Sequence, residues 1–287
     1  MENSTVKNNK EFSWENELFK VSIFEIVLAA IFLSIHIVIV YFANFTILRI
    51  IPIRLEFIMY IFYGLIFAAF KGSILSILSD TLVLLLTGRI GTWFWLYAIV
   101  PPLISIVSYL YYLMFKRTKI TRFVLAYTLT LLSFLLAAIV YLKHSDPNGS
   151  FKLSKKVSIG HSLILALIAL YGFLSLILTS VFTILYLVHK NEKWNYYILV
   201  TSLILFISVV FRWVLDPINF IEYYNHFRGS KTGKLKQYGV DYIILFTKIV
   251  IKDLFVIPIY IIVLSPVFTV ISILKQNYVD NTRKIKY

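Results

Sequence analysis

The chain has 287 residues, 60% of them hydrophobic and 17% aromatic, with a mean hydropathy of +0.83. That is more apolar surface than one soluble core buries, so lipid is the solvent of this chain. Its formal charge of +14 sits in short loops between apolar runs, which marks orientation in a membrane and excludes a nucleic-acid partner. Cysteine is absent, which removes disulfides, thiolate metal sites and lipoprotein anchoring.

In chain order, residues 1–22 read as a mixed-charge cytoplasmic segment with interfacial aromatics such as Trp14 and Phe19. Apolar spans are then expected at Ile23 to Phe42, Phe57 to Phe70, Ser73 to Thr87, Trp93 to Phe115, Phe123 to Leu142, Ser162 to Val188, Tyr196 to Leu215 and Tyr242 to Leu274. The expected fold is therefore an all-α integral membrane protein, a polytopic helical bundle of about eight transmembrane helices. Residues 23–275 form its membrane domain and 276–287 a basic cytoplasmic tail. The second and third runs hold about 15 residues each, short of the ~20 an upright span needs, and only Lys71-Gly72 separates them. The third run contains Asp80 within Leu78-Ser79-Asp80-Thr81-Leu82. An acid inside apolar sequence is costly and points to function.

Lys116 to Arg122 packs four cations into seven residues, so that turn is expected inside the cell, with both termini on the same side. Lys143 to Gly160, with the turn Asp146-Pro147-Asn148-Gly149, and Asp216 to Gly239 read as the long loops. The second of these carries Arg228, Lys231, Lys234 and Lys236. A basic external loop means either a span count off by one or attraction of an anion.

Phe57 to Tyr112 resembles the substrate-binding S component of an energy-coupling factor (ECF) vitamin transporter. The likeness lies in a short helix, a glycine turn, a short helix ending Ser79-Asp80-Thr81-Leu82, a glycine-containing loop and an aromatic-led helix. It is nearest the folate branch, although Lys71-Gly72 replaces that branch's Gly-Pro turn, and Ser73 and Ser76 its glycines. Arg212-Trp213, Asp216-Pro217-Ile218-Asn219 and Lys248 to Asp253 ahead of Pro258 are similar to the family's last two helices. The resemblance implies a six-helix core with residues 122–190 as an inserted helical hairpin. It also implies a vitamin ligand, a transmembrane (T) component and two ATP-binding subunits as partners, no cofactor, and a multi-pass place in a bacterial cell membrane. Abundant Ile, Phe, Tyr, Lys and Asn agrees with an AT-rich bacterial genome.

The candidate pocket draws on several segments. Arg212 with Asp216, and Lys248 with Lys252, stand one helical turn apart, with Asp253 adjacent. They face a cavity or pair with one another, for example Asp80 with Lys248. Trp93, Trp95 and Tyr97 serve either as an interfacial belt or as stacking surfaces, and Arg49 and Arg54 either sit at the headgroups or supply positive charge. With Asn219 these residues form the expected substrate site for a flat, anionic vitamin. Ala30 and Ser34 give the first helix a small-residue face, for packing within the bundle or against the T component.

Catalytic patterns are weak. Gly229 to Lys234 resembles a phosphate loop but is one residue short, and the five histidines are scattered without metal-ligand spacing. The alternative to an uptake subunit is a membrane-embedded enzyme acting on a lipid-linked substrate, with Asp80, Asp216 and Asp253 as its acids.

Overall fold

The structure, a computed structural model, describes residues 21–45, 55–145, 150–154, 157–229 and 233–284. The first 20 residues, the loop with Arg49 and Arg54, and the turn at 146–149 lie outside the described residues. The protein is an all-α polytopic bundle with one small β-hairpin in a connection. Its helices are α1 (Ile23–Phe45), α2 (Glu56–Leu86), the short α3 (Trp95–Ala98), α4 (Val100–Arg117), α5 (Lys119–His144), α6 (His161–His189), α7 (Glu192–Ile207), α8 (Asp216–Tyr224) and α9 (Val240–Lys284). Strands β1 (Ser150–Ser154) and β2 (Val157–Gly160) pair antiparallel between α5 and α6. Among the described residues seven helical segments are long and apolar enough to cross a membrane, which makes this a multi-pass membrane protein.

Eight spans were expected; the difference lies in α2. Ala68, at φ 68° and ψ 174°, interrupts that helix, and the chain folds back there. Tyr60 Oη donates to Asp80 Oδ1 at 3.2 Å, whereas twenty residues of straight helix would separate them by about 30 Å. The two expected short helices are thus the arms of one helical hairpin, 56–67 and 69–86. The turn falls at Ala68, not at Lys71-Gly72. Gly72 serves close approach instead: a Cβ there would lie 2.6 Å from the Tyr63 carbonyl oxygen on the opposite arm. Ala68 occupies backbone space that is essentially reserved for glycine, at a cost of about 1–3 kcal/mol. Ala68→Gly is therefore expected to raise stability by about 1 kcal/mol after glycine's greater unfolded-state entropy is subtracted. A higher thermal midpoint in detergent would register this, and an unchanged or lower one would contradict the strained turn.

The two arms are built differently. Residues 57–67 are buried on every face, as expected of a uniformly apolar helix. The second arm buries Gly72, Ser76 and Ser79 and turns Ile74, Ile77, Leu78, Leu85 and Leu86 outward. Small residues inward and large apolar ones toward lipid is the packing logic of membrane helices. Helix α4 docks on the hairpin, where Ser105 Oγ donates to the Tyr60 carbonyl at 3.0 Å and reaches that of Gly72 at 3.3 Å.

The segment 192–229 is the most deeply buried of the seven apolar segments and forms the axis of the bundle, while α1 is the least buried and lies outermost. Asn191 caps α7 by accepting from the Lys193 N–H at 3.0 Å, and Thr118 caps α5 through the Thr121 N–H at 3.1 Å. Two π-helical stretches, Ser208–Leu215 and Asn225–Gly229, carry the axis onward through α8. The sequence reading placed a loop from Asp216; the structure shows helix as far as Gly229. Pro217 is compatible with this because it stands at the start of α8, where its missing N–H costs no hydrogen bond. Lys236, one cation of the connection after Gly229, pairs with Asp241 at 3.1 Å.

Helices α5 and α6, expected as an inserted hairpin, pack on one another and on α7. Phe134 of α5 packs edge-on and Tyr171 of α6 tilted against Trp213, at ring distances of 5.9 and 6.1 Å, so both helices wall the central core. Arg122 reaches Glu192 at 3.9 Å, placing the α4–α5 and α6–α7 turns at one end. The base of the α2 hairpin, α3 and α8 lie at the other end, which the positive-inside pattern assigns to the outside.

Candidate functional site

Two polar features interrupt the apolar interior next to one another. The deeper is an ion pair: Arg212 Nη2 and Asp253 Oδ1 stand 2.7 Å apart with side chains 3% and 0% exposed. Trp213 Nε1 donates to Asp253 Oδ2 at 3.0 Å, and Arg212 Nη1 donates to Tyr260 Oη at 2.8 Å. The guanidinium also lies 5.5 Å from the Phe57 ring centroid, within cation–π range. The π-helical stretch carries Arg212-Trp213. Its extra residue per turn shifts the helix face there, so that consecutive residues both reach α9, and such π-bulges often accompany functional sites.

Beside this pair, toward the base of the α2 hairpin, a cavity of about 60 Å³ is lined by Glu56, Tyr60 and Asp80 from α2, Tyr97 from α3, Pro101 from α4, and Asp216 and Asn219 from α8, with Phe57, Val100 and Phe211 completing its wall. That volume holds a few waters and falls well below the 300–1,000 Å³ of a pocket that encloses a drug-sized ligand. The larger hollows, of about 360 Å³ between α6, α7 and α9 and about 350 Å³ between α5 and α6, have almost wholly apolar walls.

Of the residues predicted from sequence, the structure brings Asp80, Asp216 and Asn219 to this one cavity from segments far apart in the chain. Arg212 adjoins it but is committed to Asp253. Lys252 is half-buried next to Asp253, and Lys248 is exposed on α9. Trp93 and Trp95 are 48% and 58% exposed and do not line the cavity; Tyr97, two residues on, does. The pair weighed between Asp80 and Lys248 is not formed among the described residues: Asp80 accepts from Tyr60, and Arg212 takes the buried partner role. Ala30 and Ser34 lie on the exposed side of α1, where Ser34 Oγ donates to the Ala30 carbonyl at 2.8 Å.

Sequence reasoning missed Glu56 and Tyr60, whereas Tyr97 was weighed with Trp93 and Trp95 as a stacking surface and does line the cavity. A signal existed for the first two, since Glu56 and Tyr60 stand four apart and so share one helix face. Among the described residues no group of three or more His, Asp or Glu side chains is arranged to hold a metal. Comparison with family models, curated proteins and solved structures finds no match to this chain.

Proposed function

We propose that this chain is the substrate-binding subunit of an ECF-type uptake transporter in the cell membrane. It would take up folate or a related water-soluble B vitamin and be energised by a separate T component and two ATP-binding subunits. The observation that carries the reading is the polar cavity: side chains from α2, α3, α4 and α8 converge at one end of an otherwise apolar bundle. Polar groups within a membrane bundle are expensive to keep and mark substrate paths. The buried Arg212–Asp253 pair beside the cavity gives it a rigid flank. The test is to purify the protein and identify co-purified small molecules by mass spectrometry. A retained vitamin supports the reading; a protein that carries and binds none of the B vitamins argues against it.

The exposed small face of Ala30 and Ser34 supports a helix-packing contact with the T component. Ala30→Trp is expected to block co-purification with the T component while leaving ligand binding by the isolated chain intact. Loss of both would mean that Ala30 packs within this chain.

A second reading has one observation in its favour: Asp80 and Asp216 line the same cavity, as an acid–base enzyme on a lipid-linked substrate requires. Asp253, the third acid of that reading, is neutralised by Arg212. Turnover of a lipid-linked substrate that disappears in Asp80→Asn would favour it.

A further inference from the structure

Two turns far apart in the chain meet at the end of the bundle that the positive-inside pattern assigns to the cytoplasm. The α4–α5 turn carries Lys116, Arg117, Lys119 and Arg122, and the α6–α7 turn carries Lys190 and Lys193, so that six cations face Glu192 as the one acid within 116–122 and 189–193. Glu192 is engaged already: it stands 3.9 Å from Arg122 and accepts from Asn195 Nδ2 at 2.8 Å. Lys116 lies 4.4 Å from the Tyr112 ring centroid. Arg117, Lys119, Lys190 and Lys193 are exposed and form no ion pair among the described residues. Orientation in a membrane accounts for an excess of cations on this side, but not for the apolar side chains that stand among them. Ile120, next to Lys119, is 77% exposed, and Val188, two residues before Lys190, is 70% exposed. Val124, one turn along α5 from Ile120, and Leu187 are exposed as well, and Trp194, Tyr196 and Tyr197 in the first two turns of α7 are half-buried, as aromatic residues at a headgroup boundary are. Water solvates such apolar groups poorly, whereas at the bilayer boundary acyl chains solvate them while the flanking cations reach phosphates. Both turns therefore sit at headgroup depth.

We propose that this end of the bundle is a binding surface for anionic phospholipid, with Arg117 and Lys119 on one turn and Lys190 and Lys193 on the other as phosphate partners, and Ile120 and Val188 inserted among the acyl chains. The cations select the sign of the occupant and the interleaved apolar residues select its kind. A soluble anion or an acidic peptide would answer the cations and leave Ile120 and Val188 in water. A zwitterionic phospholipid would solvate both apolar residues but bring a cation with every phosphate. Anionic headgroups attract basic residues beside membrane spans at about five-fold in affinity for each Lys or Arg. Here the two turns are tied to one another through Arg122 and Glu192, so binding orders less of the chain than it would in a flexible basic tail. The inference goes beyond the uptake reading and does not depend on it.

The test titrates the full chain, delipidated in a nonionic detergent, and counts bound molecules by native mass spectrometry. The probes are phosphatidylglycerol, phosphatidylcholine with the same acyl chains, glycerol phosphate as a headgroup without chains, and hexaglutamate as an acidic peptide. Phosphatidylglycerol is expected to bind about 10-fold or more tightly than phosphatidylcholine, with a preference that shrinks as salt screens the exposed charges. Glycerol phosphate and hexaglutamate are expected neither to bind nor to compete. Lys190→Gln/Lys193→Gln and Arg117→Gln/Lys119→Gln each remove two exposed charges and leave the other turn to orient the chain. Each should weaken phosphatidylglycerol binding by about 10- to 30-fold and leave phosphatidylcholine binding unchanged, which also shows that the variant is folded. Lys143→Gln/Lys234→Gln removes two exposed cations from the opposite end and should change neither. Equal affinity of the parent for the two phospholipids overturns the inference. So does a preference that survives in both cytoplasmic variants, or one that falls as far in Lys143→Gln/Lys234→Gln. Glycerol phosphate or hexaglutamate bound as tightly as phosphatidylglycerol also overturns it, and would make the surface a site for a soluble anion or an acidic protein instead.

Discussion

Asp253→Ala is expected to destabilise the bundle by about 3–5 kcal/mol, because it strands a buried guanidinium. Arg212 is 2% and Asp253 0% exposed, so water cannot take the place of the lost partner. The same change removes the acceptor of the Trp213 N–H. Arg212→Met, the reciprocal change, leaves a bare carboxylate and should cost a similar amount. The double variant Arg212→Met/Asp253→Leu should regain most of the loss, since replacing both charges by apolar groups leaves no ion to desolvate. Recovery stays incomplete by about 1 kcal/mol for each hydrogen bond lost by Trp213 and Tyr260. Trp213 gives the readout, as its ring lies within the affected cluster, and thermal unfolding followed by tryptophan fluorescence would report all three variants. Single variants as stable as the parent would mean that the two charges are solvated.

The class of fold was legible because lipid imposes one strong rule, that each crossing segment satisfies its own backbone. Apolar runs therefore mark helices directly, and seven long apolar helical segments are what the described residues form. The hairpin in α2 was legible as two short runs, but not its turn. A positive-φ alanine gives no sequence signal, and Gly72, the obvious turn residue, is used for arm-to-arm contact. The helix through Asp216 was missed because Pro and Asn after an acid read as a loop, whereas Pro217 sits at the start of a helix, where proline is tolerated. Asp80 stood out as an acid within apolar sequence and Asp216 by its one-turn spacing from Arg212, while Asn219 was named only through the family resemblance. Spacing could not say which cation meets which acid. Arg212 and Asp253 are forty-one residues apart in the chain, and only the crossing of the axis with α9 joins them.

Gly64→Val is expected to be the most damaging single change in the hairpin. A Cβ at Gly64 would stand 2.2 Å from the Ser105 carbonyl oxygen and 2.8 Å from its carbonyl carbon. Both are backbone atoms of α4, so no side chain can swing aside and the helix itself must retreat. Retreat breaks the contacts by which Ser105 Oγ holds both arms, at 3.0 Å to Tyr60 and 3.3 Å to Gly72. Overpacking commonly costs about 1–3 kcal/mol, and with a rigid neighbour and a lost hydrogen bond the value should lie at or above about 3 kcal/mol. The change also reaches the cavity, because Tyr60 and Asp80 on the hairpin face Val100 and Pro101 on α4 across it. Ligand affinity should therefore fall together with stability, as it would not for a purely local lesion. Gly91→Ala supplies the control, since a Cβ there meets nothing within 4 Å, and it should leave both quantities unchanged. Thermal unfolding and ligand titration of the two variants side by side would check this; a Gly64→Val protein with the parent's stability would show that α4 does not lie against the hairpin at Gly64.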